Sequence, residues 1–431
     1  MKVKQNIQIL IKMIGIVVVS SMVLVGLLCL VYKLPRDRMV SHVVESENTI
    51  RLQNDDYNMS ISNFYDTYDT DTNIIMLLEV IAPDFNGALQ DALLCPSGAY
   101  LENQWGDWAD TLMNYANDTQ GDLSYVNYAR YWHGYLIFLK PLLMFMSVQD
   151  IYYLHAMLMV ILTGWIFCLL YKRLGKYCIA YAVTIIAMNA VAIAQSFQLS
   201  TIYYAMQLTL LLLLYCKKEK QIPYIFLIDG MLVAFFDFLT YPLVAFAIPV
   251  LTYYLLYRED GFLQNVKKIV GKGISFLIGY AGLWFMKWIW ATAFTHENIL
   301  RDGWINVLRR TGTGDNFGDN QYGMAIGPMA ALRINFHAFV GWSVVLLGIV
   351  FLVGVIFYML YKKERKPVLQ KTTVLISFLV ACSPILWYVV VNNHASLHPH
   401  LEWREWVVSV FAVCVLVLSL LKEKTDERVS V

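Results

Sequence analysis

The stretch YKRLGKYCIAYAVTIIAMNAVAIAQSFQLSTIYYAMQLTLLLLLYCKKEK (171–220) contains two apolar runs enclosed by two basic clusters. A membrane-spanning helix needs roughly 20 apolar residues, and the runs at about 177–197 and 199–215 come close to that length. An excess of Lys and Arg marks the cytoplasmic side of a membrane. Because both clusters must then lie on the same side, the stretch predicts two antiparallel spans joined by a tight turn near 198, outside the cytoplasm.

The same alternation of apolar runs and basic clusters continues in both directions along the chain. Placing the clusters in the cytoplasm puts 21 of the 33 Lys and Arg residues on that side. The chain is 58% hydrophobic, whereas soluble domains have about 45–50% apolar residues. We therefore predict an all-α, polytopic transmembrane helix bundle of about ten spans with both termini cytoplasmic. The predicted spans are about 7–32, 150–171, 177–197, 199–215, 222–238, 241–257, 273–293, 337–361, 370–391 and 405–421.

A single membrane-embedded domain (1–431) is expected, and its long extracytoplasmic loops are 33–149, 294–336 and 392–404. The first loop holds 16 of the 32 acidic residues and only six Lys and Arg. The apolar stretch 134–147 inside it is short and has Lys140-Pro141 in its middle, so we interpret it as an interfacial helix in the headgroup plane. Counting it as a span would place every later basic cluster outside.

The first loop has three acids before an apolar, helix-like run, in the segment NFYDTYDTDTNIIMLLEVIAP (63–83). A carboxylate beside an apolar, membrane-facing surface can act as a general base, because desolvation raises its basicity. The same acids could instead form a solvated turn that caps the helix. The spacing leaves both interpretations open for Asp66, Asp69 and Asp71.

Further polar residues lie at the membrane surface or within predicted spans. Arg130 and His133 begin the interfacial helix, where Arg could bind phosphate or snorkel from an ordinary aromatic belt. Asp229 and Asp237 fall in span 222–238, and an acid within a span is a functional hypothesis by default. Asp229 could pair with Lys287 in a later span, and Asp237, near the outer end, could simply reach water.

The last outer loop, NNHASLHPHLEWREW (392–406), is the densest polar cluster of the chain. Phosphate recognition by His and Arg at headgroup depth is the simplest interpretation of this cluster. Metal binding by two imidazoles and Glu402 is the alternative, but Pro399 makes the spacing irregular and no HEXXH motif occurs. Of the seven cysteines only Cys95 lies in a loop, and no zinc spacing can be built from them. We predict no metal site. The histidines and the arginine of this loop are His394, His398, His400 and Arg404.

Loop 294–336 combines four arginines with the glycine-rich stretch TGTGDNFGDNQYG. Its glycines allow a mobile loop that could close over a substrate, or a merely flexible connection. No nucleotide-binding GxxxxGK[ST] motif occurs. The arginines are Arg301, Arg309, Arg310 and Arg333.

Four segments resemble the GT-C superfamily of polytopic membrane glycosyltransferases: YDTYDTDTNIIML (65–77), RYWHGYLIFLKPLL (130–143), FFDFLTYPL (235–243) and NNHASLHPHLEWRE (392–405). Three features of the architecture are also similar: the first span (about 7–32), which we interpret as a retained signal anchor, the large acidic first loop, and the His/Arg-rich loop before the last span. The resemblance covers most of the chain by architecture but only these segments by sequence.

The resemblance implies transfer of a sugar from a polyprenyl-phosphate donor to an extracytoplasmic acceptor. It assigns the role of base to a first-loop acid, with Asp71 ranked before Asp69 and Asp66, and it leaves a divalent cation open as a cofactor. Arg130, His398 and Arg404 would hold the lipid phosphate. The resemblance and the polar residues at the predicted membrane surface together give the predicted substrate-binding residues Arg130, His133, Asp237, His394, His398 and Arg404.

The expected partners are the lipid-linked sugar donor, the lipid bilayer and a glycan or lipid acceptor, with no nucleic acid. The expected location is the bacterial plasma membrane, as a multi-pass protein. Two other functions stay open from the sequence: a transporter or flippase of lipid-linked sugars, and a non-catalytic membrane protein of polysaccharide assembly.

Overall fold

The structure is a computed structural model that describes residues 2–56, 70–99, 108–117, 124–312, 327–340, 348, 351–353, 355 and 371–420. Almost all regular structure in these residues is helical, as predicted. One short antiparallel ribbon is the exception: β1 (Pro96–Ala99) pairs with β2 (Ser124–Asn127) in the first loop.

The helices of the first half follow the predicted order of anchor, first loop and spans. They are α1 (Lys2–Val31), α2 (Arg36–Glu45), α3 (Glu47–Asp56), α4 (Thr70–Val80), α5 (Ala88–Leu94), α6 (Trp108–Ala116), α7 (Leu136–Leu143), α8 (Val148–Leu174), α9 (Cys178–Ala187), α10 (Ala190–Ala194) and α11 (Phe197–Tyr215). Those of the second half are α12 (Ile222–Phe236), α13 (Pro242–Tyr257), α14 (Phe262–Phe294), α15 (Ile299–Arg310), α16 (Pro328–Phe339), α17 (Lys371–Ala381), α18 (Ser383–Val390), α19 (Asn392–Leu397), α20 (Pro399–Glu402) and α21 (Trp406–Ser419).

Five stretches of the described residues are long and apolar enough to cross a membrane. Many of their large apolar side chains point outward, such as Ile11, Val160 and Leu386, and a lipid environment explains that exposure. The protein is therefore a helical membrane protein, whereas the count of about ten spans stays a prediction. The five stretches are Ile7–Val31, Val148–Ala187, Phe197–Tyr215, Phe262–Phe294 and Lys371–Val390.

Two predicted spans are not single helices. Span 177–197 is divided at Asn189, which has a left-handed backbone (φ 55°) and whose side chain caps α10 by accepting from the Ala192 N–H. Span 370–391 is divided at Cys382, just before Pro384 at the start of α18. Much of the predicted span 337–361 lies outside the described residues.

The predicted interfacial helix is present as α7, whose eight residues are too short to cross a bilayer. Its position in the headgroup plane stays a prediction. Phe138 is exposed, but Lys140 is buried and donates to the Val80 carbonyl at 2.6 Å. Burial lowers the pKa of Lys140 to about 8. The helix therefore also packs inward, against the first loop.

The helix ends gather into two groups at opposite ends of the bundle. At one end, Lys268 forms salt bridges with Glu219 (2.8 Å) and Glu259 (2.6 Å) among the basic connections. At the other end, the Gly134 N–H donates to the Phe235 carbonyl at 2.9 Å and joins the first loop to the end of α12. The predicted alternation of helix directions requires this arrangement, and the side that faces the cytoplasm stays a prediction.

Glycines bring α12 and α14 into close contact. A Cβ atom at Gly230 would overlap the Phe276 carbonyl oxygen, and one at Gly279 would overlap the Leu227 carbonyl oxygen. Small residues at such a crossing let two helix backbones approach each other. This contact positions the turn after α12, around which the polar residues gather.

The suggested ion pair between Asp229 and Lys287 is wrong. Lys287 is buried and donates to the carbonyls of Ala92 (3.2 Å) and Leu93 (2.8 Å), so α14 is joined to α5 of the first loop. Asp229 is buried in α12 and forms no salt bridge with a described residue. The first loop is therefore anchored on the bundle through a buried ammonium and backbone carbonyls.

Candidate functional site

The turn between α12 and α13 is built around Asp237. Its Oδ2 accepts from the N–H groups of Leu239 (2.8 Å) and Thr240 (2.9 Å), and its Oδ1 accepts from Gln198 Nε2 (2.9 Å) and Thr240 Oγ1 (2.5 Å). Both oxygens of this buried carboxylate are thus used by the turn itself. Asp237, predicted to bind substrate, is placed to shape the site.

Replacing Asp237 by asparagine should destabilise the protein by about 1–3 kcal/mol. The asparagine NH₂ group would replace an oxygen that accepts hydrogen bonds, and it would then point at the groups that donate to that oxygen. Thermal unfolding of the purified protein in detergent measures the loss. The exposed Asp260, at the opposite end of the bundle, supplies the control variant Asp260→Asn, which should change stability by less than about 0.5 kcal/mol. Equal melting temperatures for Asp237→Asn and Asp260→Asn would contradict the turn-building role.

Leu239 has a left-handed backbone conformation (φ 72°), and its carbonyl oxygen contacts His394. His394 Nε2 donates to that oxygen at 2.7 Å, so Nε2 carries the proton and Nδ1 is free to accept. Arg310 Nη1 is the donor to Nδ1. Burial, together with the nearby charge of Arg310, holds the pKa of His394 well below its usual range. His394 is therefore a neutral imidazole that orients a guanidinium.

Glu402 lies on the other side of His394, with Oε1 3.5 Å from Nε2. Its Oε2 accepts from Trp387 Nε1 at 2.8 Å. Burial raises the pKa of this carboxyl well above its usual range, which favours the neutral acid. Arg310 forms no salt bridge with any carboxylate in the described part of the chain, so its positive charge is left for another anion.

The remaining predicted residues of the last loop take two different positions. His398 packs its ring 4.6 Å from that of His394 and 5.8 Å from that of His400, and burial lowers its pKa to about 3. Arg404 is buried, donates to the His400 carbonyl at 2.9 Å and lies over the Trp403 ring. His398 thus joins the Arg310–His394 pair, whereas Arg404 braces the turn.

The first loop reaches this cluster through its 128–133 segment. Arg310 lies over the Tyr131 ring at 5.8 Å, and Tyr131 packs against Phe238 of the α12–α13 turn at 5.2 Å. Arg130 is half-buried, 3.6 Å from Asp302 and over the Tyr128 ring at 5.2 Å. Two arginines from different loops therefore flank one aromatic patch. We call Arg310, His394 and His398 the arginine–histidine cluster.

His133 is close to the cluster but faces away from it. Its Nε2 lies 2.7 Å from the Tyr128 carbonyl, and its Nδ1 lies 3.1 Å from Glu79 Oε2 and 3.2 Å from the Tyr135 hydroxyl. Both Glu79 and His133 are fully buried. His133, predicted to bind substrate, is thus engaged inside the first loop.

The acid ranked first as the base, Asp71, lies at the exposed start of α4. Two residues on, Asn73 Nδ2 approaches the Tyr152 hydroxyl (3.3 Å) and the Gln195 carbonyl (3.1 Å). Glu79, which contacts His133, lies eight residues after Asp71 on the same helix, so about 12 Å of helix separates the two acids. Asp66 and Asp69 lie outside the described residues. The contacts of Asn73 place the start of α4 beside α8 and the end of α10, whereas the arginine–histidine cluster lies against the α12–α13 turn at Leu239.

Asp71 instead lies near a cavity of about 650 Å³ between α8, α9 and α10. The cavity is mostly apolar, and Tyr152 and Gln195, the partners of Asn73, belong to its lining. The remainder of the wall includes Met159, Val160, Ile185, Val191 and Ala194. A cavity of this composition suits a hydrocarbon chain.

Sequence reasoning did not select Arg310 or Glu79 as site residues. The sequence gives no reason to prefer Arg310 to the other three arginines of loop 294–336 as a site residue, and only its contact with His394 distinguishes it. The sequence does indicate that Glu79 is unusual, because it is the one acid inside the apolar run IIMLLEVIA (74–82). A charged residue is rarely buried unless it is paired.

No protein-family model, curated protein or solved structure matches this chain.

Proposed function

We propose that this protein is a membrane glycosyltransferase of the GT-C type. It would transfer a sugar from a polyprenyl-phosphate donor to an acceptor in the cell envelope, on the outer face of a bacterial plasma membrane. The observation that carries the proposal is the arginine–histidine cluster. In this cluster the neutral His394 holds the guanidinium of Arg310, which has no salt-bridge partner among the described carboxylates. The cluster lies at the end of the bundle that is predicted to face outward.

Phosphate is the anion that fits this arrangement best. Arginine presents several N–H donors in a fixed fork that matches phosphate oxygens. His394 fixes one side of the fork through Nδ1, and Tyr131 covers a face of the guanidinium. Because the cluster lies at the end of apolar helices, the phosphate would come from a lipid whose chain remains in the membrane. Arg310 thus joins Arg130 and His398 as a proposed phosphate ligand.

The apolar cavity between α8, α9 and α10 supports a lipid substrate independently. It could take part of a polyprenyl chain, of the donor or of a lipid acceptor, and its polar end at Tyr152 and Gln195 lies beside the start of α4. We propose that an acceptor hydroxyl approaches Asp71 from this end of the cavity.

The reaction would be a displacement at the anomeric carbon. The acceptor oxygen forms a bond to that carbon while the bond from the carbon to the phosphate oxygen breaks. A first-loop carboxylate takes the acceptor proton, and the departing phosphate keeps the electron pair. Arg310 would stabilise the charge that develops on that phosphate. Asp71, Asp69 and Asp66 remain the proposed bases, in that order.

A second function has one observation in its favour. Asp229 is a fully buried acid within a predicted span, and an ionisable residue at such a position is a functional hypothesis by default. A transporter or flippase of lipid-linked sugars is therefore the second candidate. Asp229 would be its proton-coupled residue, since this buried acid has no salt bridge in the described part of the chain.

A transfer assay with purified protein separates the two candidates. The donors are synthetic polyprenyl-phosphate hexoses and pentoses, and the acceptors are glycolipids extracted from bacterial envelopes. Wild-type protein should form a glycosylated product, and Asp71→Asn or Asp69→Asn should abolish it while expression and membrane insertion persist. Full activity of both single variants and of the double variant would remove the base assignment. Movement of the donor across proteoliposomes without any product would support the transporter instead.

A further inference from the structure

Three metal-binding residue types meet inside the first loop, apart from the arginine–histidine cluster. Glu79 comes from α4, Cys95 precedes β1, and His133 precedes α7. Each residue offers one donor atom: a carboxylate oxygen of Glu79, Sγ of Cys95 and a ring nitrogen of His133. These three atoms lie within 4.8 Å of one another, and all three residues are fully buried. We infer that Glu79, Cys95 and His133 bind a divalent metal ion of the zinc type that fastens the first loop together.

The spacing of the donor atoms is close to what zinc needs. Zinc bonds of about 2.0–2.3 Å in a tetrahedron put neighbouring ligand atoms about 3.3–3.6 Å apart. His133 Nδ1 and Glu79 Oε2 are already 3.1 Å apart. Rotamer adjustments on the order of 1 Å would bring the sulfur to the same distance. Imidazole, thiolate and carboxylate together are a set that zinc accepts.

The tautomer of His133 is already the one that a metal ligand requires. Its Nε2 faces the Tyr128 carbonyl at 2.7 Å, and because a carbonyl only accepts, Nε2 carries the proton. The lone pair of a neutral ring is then on Nδ1, directed at Glu79. Metal-bound histidines usually donate their other N–H to a carbonyl or carboxylate in this way. The Tyr135 hydroxyl, 3.2 Å from Nδ1, is available for a fourth position.

Glu79 supplies a second, independent observation. Its Oε1 atom is buried and accepts no hydrogen bond from any group in the described part of the chain. A buried acceptor without a partner costs about 1–3 kcal/mol, and more when the group is charged. Coordination of a cation would remove that cost. The contact with His133 involves only the other oxygen, Oε2.

The charges around the site are compatible with a dication. Lys140 and Lys287 are buried nearby, but they donate to the backbone carbonyls of Val80 and Leu93, and neither forms a salt bridge with Glu79. Zinc with one thiolate, one carboxylate and a neutral imidazole has no net charge, so it adds no repulsion to the two ammonium groups. Binding would release the thiol proton of Cys95.

The function of such a site would be structural. It would join α4, the start of β1 and the 128–135 segment, which the chain itself connects only through long intervening stretches. Cys95 (φ 48°) and His133 (φ 53°) both have left-handed backbones that non-glycine residues seldom adopt. Metal coordination would hold both in that conformation and keep Tyr131 against Arg310.

The test uses the full chain purified in detergent, depleted of metal and titrated with Co²⁺ and Zn²⁺. Wild-type protein should develop a thiolate-to-cobalt charge-transfer absorption, which added Zn²⁺ should abolish. Cys95→Ser should lose this absorption, while Cys178→Ser, a buried cysteine of α9, should keep it. Removal of the metal from wild-type protein should lower its unfolding temperature, and the effect should be absent in His133→Asn.

Two results would overturn the inference. The first is a wild-type protein that shows no thiolate–cobalt absorption and no change of unfolding temperature on Zn²⁺ addition. The second is a Cys95→Ser variant that binds Co²⁺ with the same spectrum as wild type. Either would mean that Glu79 and His133 form a simple hydrogen-bonded pair. Because these measurements do not involve sugar transfer, they stand whether or not the proposed function is correct.

Discussion

Replacing Arg310 by alanine should weaken the binding of polyprenyl phosphate about ten- to a hundredfold. Hydrogen bonds to a charged partner contribute about 1.5–3 kcal/mol, and each 1.4 kcal/mol is a factor of ten in affinity. Arg310 is the residue whose guanidinium is oriented by His394 and has no described carboxylate in salt-bridge range. Binding of a fluorescent polyprenyl phosphate to the purified protein measures the loss, and the transfer rate should fall in parallel.

The neighbouring Arg309 provides a matched control. It is exposed on the same helix, so Arg309→Ala removes the same charge without touching His394. Its affinity for the lipid should stay within about twofold of wild type, because surface charges are screened by salt. Arg310→Lys should recover only part of the affinity, since lysine keeps the charge but lacks the planar fork. Equal losses for Arg309→Ala and Arg310→Ala would mean general charge attraction and would remove the phosphate site.

The largest expected change in stability comes from Gly279→Ala. The added methyl group would overlap the Leu227 carbonyl oxygen, which is backbone and cannot swing aside. Overpacking of this kind costs typically about 1–3 kcal/mol, and sometimes more. It would also separate α12 from α14 and so shift the turn that carries Asp237. We expect a lower unfolding temperature in detergent and weaker lipid binding together.

Gly271→Ala tests whether the contact, and not the loss of glycine, is responsible. Gly271 lies on the same helix with nothing within 4 Å of its added Cβ. Alanine there should stabilise the helix by up to about 1 kcal/mol. The two substitutions are chemically identical and should have opposite signs. A Gly279→Ala variant as stable as Gly271→Ala would show that the two helices do not approach each other as described.

The arrangement of the site separates two tasks that the sequence interpretation combined. The proposed phosphate site is the arginine–histidine cluster, whereas Asp71, the first of the proposed bases, lies at the start of α4 beside the apolar cavity. A transferase with this layout would need its substrate to bridge the two. The Arg310 and Asp71 variants therefore test different steps.

Local chemistry made some features of this protein predictable. Apolar runs of about 20 residues can satisfy their backbone in lipid only as helices, so the helical membrane fold follows from composition and length alone. The shortness of stretch 134–147 likewise predicted a short helix, and α7 has only eight residues. The helix directions given by the positive-inside rule stay a prediction.

Side-chain contacts across the bundle could not be predicted in the same way. Arg310 of α15 contacts His394 of α19, which lies 84 residues away in the sequence, and Glu79, Cys95 and His133 come from three different segments of the first loop. In a helix that is apolar all round, the sequence pattern does not indicate which face meets which neighbour. That choice depends on helix rotation and on close approach at positions such as Gly230 and Gly279. The sequence by itself therefore determined the helical membrane fold, and the tertiary packing decided which polar groups share a site.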